Sequence, residues 1–132
     1  MNATGSVLLD TTIVVDHLRG RSPALVERFK QTTTLYLPVT ALGELLYGAY
    51  KSSFKAKSLK QIEDFIQLCA ILALDAQTAD YYGQINAELE RLGKLIPQND
   101  IWIAAISLEH NLPLATRDQH FSFVPGLTLL DW

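Results

Sequence analysis

Ser6-Val7-Leu8-Leu9-Asp10-Thr11-Thr12-Ile13 is the stretch whose reading decides the fold. Its apolar run up to Leu9 is too short for a helix and suits a strand buried on both faces, as strands of a parallel sheet are. Asp10 ends the run, and Thr11 to Leu18 is apolar enough to continue as a helix. The opening unit is therefore strand, acid, helix.

The same grammar recurs along the chain. After Arg19-Gly20-Arg21, the pair Ser22-Pro23 supplies an N-cap and a first-turn proline, which predicts a helix from Pro23 to about Gln31 with Leu25, Val26 and Phe29 on one face. Leu35 to Val39 reads as the second strand, and Thr40 is placed to cap a helix running to Tyr50. Lysines and serines from Lys51 to Lys60 mark a solvated joint, and a helix through Ile62, Phe65, Ile66 and Cys69 leads to a strand at Ile71–Leu74. Asp75 is expected to cap the long helix Ala76–Leu92, which Gly93 closes. Lys94–Asn99 reads as a loop. Asp100 opens an almost wholly apolar helix that ends near Asn111, and Leu112–Thr116 and Leu127–Leu130 are the last strands. Strands separated by helices imply parallel pairing and right-handed crossovers.

A chain of 132 residues is about one domain, long enough to bury roughly two thirds of its unfolded surface. With 48% hydrophobic and 19% charged residues it is too apolar for intrinsic disorder. The lone Cys69 excludes an intramolecular disulfide and a multi-thiolate zinc site, and reads as a buried, inert thiol. The segment Met1–Ser6 lacks the basic stretch and apolar core of a signal peptide, and no run approaches the length of a membrane span, so a cytoplasmic location is expected with no membrane partner. A net charge of −3 argues against broad electrostatic binding to nucleic acid. It leaves room for a metal-dependent nuclease, in which the ions supply the positive charge.

Four acids stand out by position. Asp10, Glu44, Asp100 and Asp118 each lie where a strand gives way to a turn or in the first turns of a helix. In a doubly wound sheet those places share one edge, so acids scattered in sequence converge there. Converging carboxylates repel one another and are pushed toward protonation unless a cation lies between them. The pattern suggests a divalent-metal site. Taken singly, Asp10 and Asp100 are equally well read as helix caps, and Asp118 as a solvated loop residue. Glu44, among Ala41, Leu42, Leu45 and Leu46, would be costly to bury as an unpaired charge.

Leu8-Leu9-Asp10-Thr11-Thr12-Ile13, Glu44-Leu45-Leu46-Tyr47-Gly48, Asp100-Ile101-Trp102-Ile103-Ala104-Ala105 and Ala115-Thr116-Arg117-Asp118-Gln119-His120-Phe121 resemble, in order and spacing, the successive motifs of the PIN-domain ribonucleases. Within that family they are most similar to the VapC-type toxins of type II toxin–antitoxin modules. The resemblance spans nearly the whole chain, so residues 1–132 are expected to form a single PIN domain. It implies a PIN-like three-layer α/β/α fold with a central, mainly parallel sheet of about five strands. It also implies Mg²⁺ or Mn²⁺ as cofactor, hydrolysis of transfer or ribosomal RNA, a homodimer, and inhibition by a cognate antitoxin protein.

By that resemblance Asp10, Glu44 and Asp100 are core catalytic acids and metal ligands, Asp118 is a more variable fourth, and Thr11 and Thr116 support them. Thr12 stands where the family commonly has asparagine or serine, which alters the bonding expected around Asp10. Arg19, Arg21 and Arg117 are expected near the RNA, although exposed turns explain the first two and a pairing with Asp118 explains the third. Tyr47 and Tyr50 are expected as exposed antitoxin anchors. Asp16, most of two turns into the first helix, is close enough to the site to tune it but reads first as a solvent-facing helix residue, and His17, His110 and His120 lack metal-ligand spacing. Trp102 reads as packing or interface. A catalytically inactive PIN-like module and a receiver-like signalling domain phosphorylated on Asp75 are the alternatives. The latter lacks an acidic pair after the first strand and a lysine after the last.

Overall fold

In the computed structural model, which describes residues 4–132, the run that ends at Asp10 forms the central strand β1 (Thr4–Leu9). The expectation drawn from Met1–Ala3 lies outside the described residues. β1 is flanked by β2 (Thr32–Pro38) and β4 (Leu114–Ala115), with β3 (Cys69–Leu72) and β5 (Leu129–Leu130) at the edges, in the order β3-β2-β1-β4-β5. Every pair is parallel, with Leu8 opposite both Tyr36 and Leu114. Val7, Leu8 and Leu9 have no exposed surface, the burial on both faces that their continuous apolar character implies.

Six helices complete the layers: α1 (Thr11–Leu18), α2 (Ala24–Lys30), α3 (Val39–Tyr50), α4 (Lys55–Ile66), α5 (Ala76–Leu92) and α6 (Gln98–Glu109). From β1 to β3 the chain steps outward on one side, then crosses back to β4 on the other, so right-handed connections place helices on both faces. The strand order therefore reverses beside β1, and a crevice opens past the carboxyl ends of β1 and β4. Asp10 follows the first of these strands and Thr116-Arg117-Asp118 the second. α6 carries Ile101, Ile103, Ala104, Ala105 and Ile106 into the core and packs on α5 and α3, which fixes the position of its first turn.

Several boundaries differ from the expectation for identifiable reasons. Val39 is already helical and Pro38 takes the N-cap position, so Thr40 does not cap α3, and its buried Oγ1 has no partner among the described residues. Ser22 does not cap α2 either, because its Oγ accepts a hydrogen bond from Arg117 Nη2 at 2.9 Å. The joint expected over Lys51–Lys60 is shorter, since α4 begins at Lys55: lysines are good helix formers, and Lys60 pairs with Asp64 across one turn at 2.9 Å. Cys69 belongs to β3 rather than to a helix, and its thiol is pushed up to about 11 by burial. Val26 is exposed, not on the face it was expected to share with Leu25 and Phe29. Asp75 caps α5 as expected, in a reciprocal box with Thr78.

Candidate active site

Asp10 occupies the N-cap position of α1, yet its carboxylate makes no capping bond. It is buried, and its Oδ2 accepts from Thr12 Oγ1 and from Thr116 Oγ1, both at 2.7 Å. Each hydroxyl in turn accepts a backbone N–H: Arg117 N to Thr12 at 3.1 Å and Asp118 N to Thr116 at 3.0 Å. A hydroxyl that receives a hydrogen bond is polarised to give a stronger one, so two relays converge on one carboxylate oxygen. Asp10 Oδ1 has no hydrogen-bond partner among the described residues. Thr12 thus supplies by its hydroxyl a bond to Asp10 that needs no amide.

The other acids arrive from three further elements. Glu44 lies in the second turn of α3, and its Oε1 accepts from Thr11 Oγ1 at 3.0 Å. Asp100 stands in the first turn of α6, and Asp118 follows β4 and caps the 3₁₀ turn Gln119–Phe123. Asp10, Glu44, Asp100 and Asp118 line one cleft of about 360 Å³ together with Thr11 and Thr12. Burial, followed by the charges of Asp10, Asp118 and Glu44, raises the Asp100 carboxyl to about 6, with His120 opposing the shift. The four expected acids are therefore brought together, and Thr11 and Thr116 bond two of them.

Two further residues join this neighbourhood. His120 Nδ1 lies 3.1 Å from Asp118 Oδ1, and Asp100, Asp118 and His120 offer ligand atoms within 4.8 Å of one another. Asp16, read as solvent-facing, lines the cleft and pairs with Arg21 at 3.7 Å and Arg117 at 3.3 Å. The only advance signal for Asp16 was its place on α1, between one and two turns beyond Asp10. For His120 it was the two-residue step from Asp118, which a turn folds back on itself.

The arginines separate. Arg117 does not pair with Asp118; its guanidinium is engaged by Asp16, by Ser22 Oγ and by the Trp132 carbonyl at 2.7 Å. Arg21 borders the acidic cleft, and Arg19 borders an adjoining groove that also reaches Thr11 and Glu44. Tyr47 and Tyr50, on the outer side of α3, are 66% and 63% exposed. Trp102 stacks on Tyr82 with ring centroids 4.0 Å apart. Asp75 follows the edge strand β3 and its carboxylate is occupied by Thr78, which removes support for a receiver-like site.

A divalent cation fits these residues. The carboxylate donors are hard oxygens, the ligand type favoured by Mg²⁺ and Mn²⁺. The raised Asp100 carboxyl registers a repulsion that such a charge relieves.

Comparison with known proteins agrees with this geometry. The PIN domain family profile matches residues 7–127. Ribonuclease VapC2 of Haemophilus influenzae is 35% identical over 127 residues, covering 95% of this chain and 96% of its own. The tRNA(fMet)-specific endonuclease VapC of Salmonella typhimurium is 32% identical over the same shares of the two chains. Among solved structures, DNA-bound VapBC from Salmonella typhimurium superposes with a TM-score of 0.91 at 31% identity, covering 98% of both chains. VapBC2 from Rickettsia felis, bound to a DNA fragment from its promoter, gives 0.88 at 29%, covering 96% of this chain and 98% of that one. With the parallel sheet, the switch-point cleft and the four acids in place, these likenesses identify the chain as a member of the PIN-domain family, of the VapC type.

Proposed function

We propose that this protein is a metal-dependent endoribonuclease, the toxin of a type II toxin–antitoxin pair, acting on transfer or ribosomal RNA so that translation stops. The observation that carries the reading is the meeting of Asp10, Glu44, Asp100 and Asp118 in one cleft at the carboxyl edge of the sheet. VapC relatives named as ribonucleases, some as tRNA(fMet)-specific, support the substrate class. Residues 1–132 act as a single PIN domain in this account.

Asp10, Glu44, Asp100 and Asp118 are the residues that would hold Mg²⁺ or Mn²⁺. The cation, when bound, supplies positive charge at the scissile phosphate and acidifies an attacking water. Thr12 and Thr116 hold the Asp10 carboxylate by Oδ2 and leave Oδ1 for the cleft. Thr11 steadies Glu44, and a cation in the cleft would favour the ionised form of Asp100, whose carboxyl burial and the neighbouring acids raise to about 6. Hydrolysis leaves a 5′-phosphate and a 3′-hydroxyl and does not use the RNA 2′-hydroxyl as nucleophile. Arg21 and Arg19 meet RNA phosphates beside the cleft, and Arg117, the third contact expected, keeps a partly exposed guanidinium that is engaged by Asp16, Ser22 and the Trp132 carbonyl.

The cognate antitoxin docks on the exposed aromatic side of α3 through Tyr47 and Tyr50, and VapBC complexes among the similar structures support such a partner. The active form is a homodimer in the cytoplasm. Among the described residues no helix is long and apolar enough to cross a membrane. The test is incubation of total RNA with the antitoxin-free protein and Mg²⁺, Mn²⁺ or EDTA, beside Asp100→Asn. Discrete products that need the metal and vanish in the variant support the proposal, and equal activity of both proteins overturns it.

A further inference from the structure

Next to the acidic cleft lies a second hollow of about 560 Å³, lined among others by Asp118, Gln119, Ser122, Asp131 and Trp132. It opens between the segments that follow β4 and β5, along the same carboxyl edge of the sheet where parallel α/β folds take their ligands. Asp118 borders both hollows, so whatever fills the second is adjacent to whatever is held in the first. Its size falls in the range of small-molecule sites and accommodates a nucleoside.

One wall is built in advance. The Trp132 ring is braced on Phe29, with centroids 6.0 Å apart, and its carbonyl accepts from Arg117 Nη2, itself pinned by Asp16 and Ser22. Trp132 is only partly buried, and the part of its indole left open is one on which a base stacks whatever its identity. Two of the polar side chains are unspent. The Ser122 hydroxyl gives its hydrogen to the Gln119 carbonyl at 2.7 Å, while the Gln119 amide and the Asp131 carboxylate have no partner among the described residues. With two carboxylates on the wall and the one arginine already neutralised, the hollow disfavours a phosphate and favours an uncharged ring.

We propose that this hollow is a nucleoside subsite, which takes the base next to the scissile phosphate, stacks it at Trp132 and reads its edge with Gln119 and Asp131. The proposal deepens the ribonuclease reading and rests on it. A carboxylate accepts only, so Asp131 selects a base with an exocyclic amino group. Uracil, whose single N–H lies between two carbonyl oxygens, is disfavoured.

The test is limited cleavage of a randomised RNA by the antitoxin-free native chain with Mn²⁺, followed by sequencing of the product ends, beside Gln119→Ala and Asp131→Asn. Both positions are exposed, so both variants are expected to fold. The native protein should deplete uracil at one position flanking the cut; Asp131→Asn should relax that depletion by about fivefold, and Gln119→Ala should change the base preference at that position and no other. Native cleavage with a bias that neither substitution alters overturns the subsite and leaves the nuclease standing. No metal-dependent cleavage by the native chain overturns the nuclease reading, and the subsite with it.

Discussion

Arg117 Nη1 lies 3.3 Å from Asp16 Oδ2, and this contact joins the turn after β4 to the helix after β1 directly above the acidic cleft. The same guanidinium reaches Ser22 and the Trp132 carbonyl, while the Arg117 backbone N–H supports Thr12. One residue thus ties four segments around Asp10.

Arg117→Ala is therefore expected to lower stability by about 1–2 kcal/mol, the scale for loss of a partly exposed ion pair and two charge-assisted hydrogen bonds. It should leave the salt dependence of RNA binding unchanged. Arg21→Ala should do the opposite, with little effect on stability and a reduction of the salt slope by about one. Thermal melts and RNA binding in EDTA across a salt series separate the two. A reduced salt slope in Arg117→Ala would mean that its guanidinium leaves Asp16 to meet phosphate.

Asp100 makes the metal-free protein sensitive to pH. Its carboxyl titrates near 6 when folded and near the ordinary 3.8 when unfolded, so between those values the folded state binds more protons. Stability from this group is present below pH 4 and lost as pH rises to about 6. Asp100→Asn removes the repelling charge, and in EDTA at pH 7 it is expected to stabilise the protein by about 1 kcal/mol, a value discounted because the group is half exposed. Melts of both proteins from pH 4 to 8 test this: the gap should open between pH 4 and 6 and close when Mn²⁺ is added. Parallel curves at every pH would remove the repulsion from the account.

The hydroxyl relays make a distinction within one side chain. Thr12→Val leaves the Arg117 N–H without its acceptor and removes one donor to Asp10, at about 1–3 kcal/mol for the unpaired groups. Thr12→Ser keeps both bonds. Metal-dependent cleavage should fall at least about tenfold in the valine variant, the scale of losing a group that orients a metal ligand, and stay near native in the serine variant. Equal activity in the two would assign Thr12 to packing.

Cys69 should be slow to react. Burial holds its thiol near 11, so little thiolate exists at neutral pH, and a thiol-specific reagent should label the native protein far more slowly than the unfolded chain. Equal rates would show the thiol to be accessible and unperturbed.

The parts of this site that were legible in advance are those fixed by local pattern. Asp10 ends a continuous apolar run, and Asp100 is the acid in the first turn of a helix that is apolar for almost all of its remaining length, so sheet topology carries both to the same edge. The boundaries of α1 and α5 were legible for the same reason, through Asp10, Asp75 and Gly93. The rest depends on docking between distant segments. Asp16 looks like any polar residue on a helix until Arg117 arrives from β4, and Ser22 looks like a cap until the same arginine claims its hydroxyl. His120 reaches Asp118 only because a 3₁₀ turn follows it, which no apolar period announces. Lys55 opens a helix because Ile62 and Phe65 pack beneath it, a tertiary gain that its polar neighbours conceal.

The central claim is that these four carboxylates hold the metal that drives hydrolysis. The most direct measurement uses one synthetic RNA with the native chain and Asp10→Asn, each with Mn²⁺ or EDTA, and determines the chemistry of the product ends. The native chain with Mn²⁺ should give 5′-phosphate and 3′-hydroxyl ends, and the other three reactions should give no products. Cleavage in EDTA, 2′,3′-cyclic phosphate ends, or full activity of Asp10→Asn would contradict it.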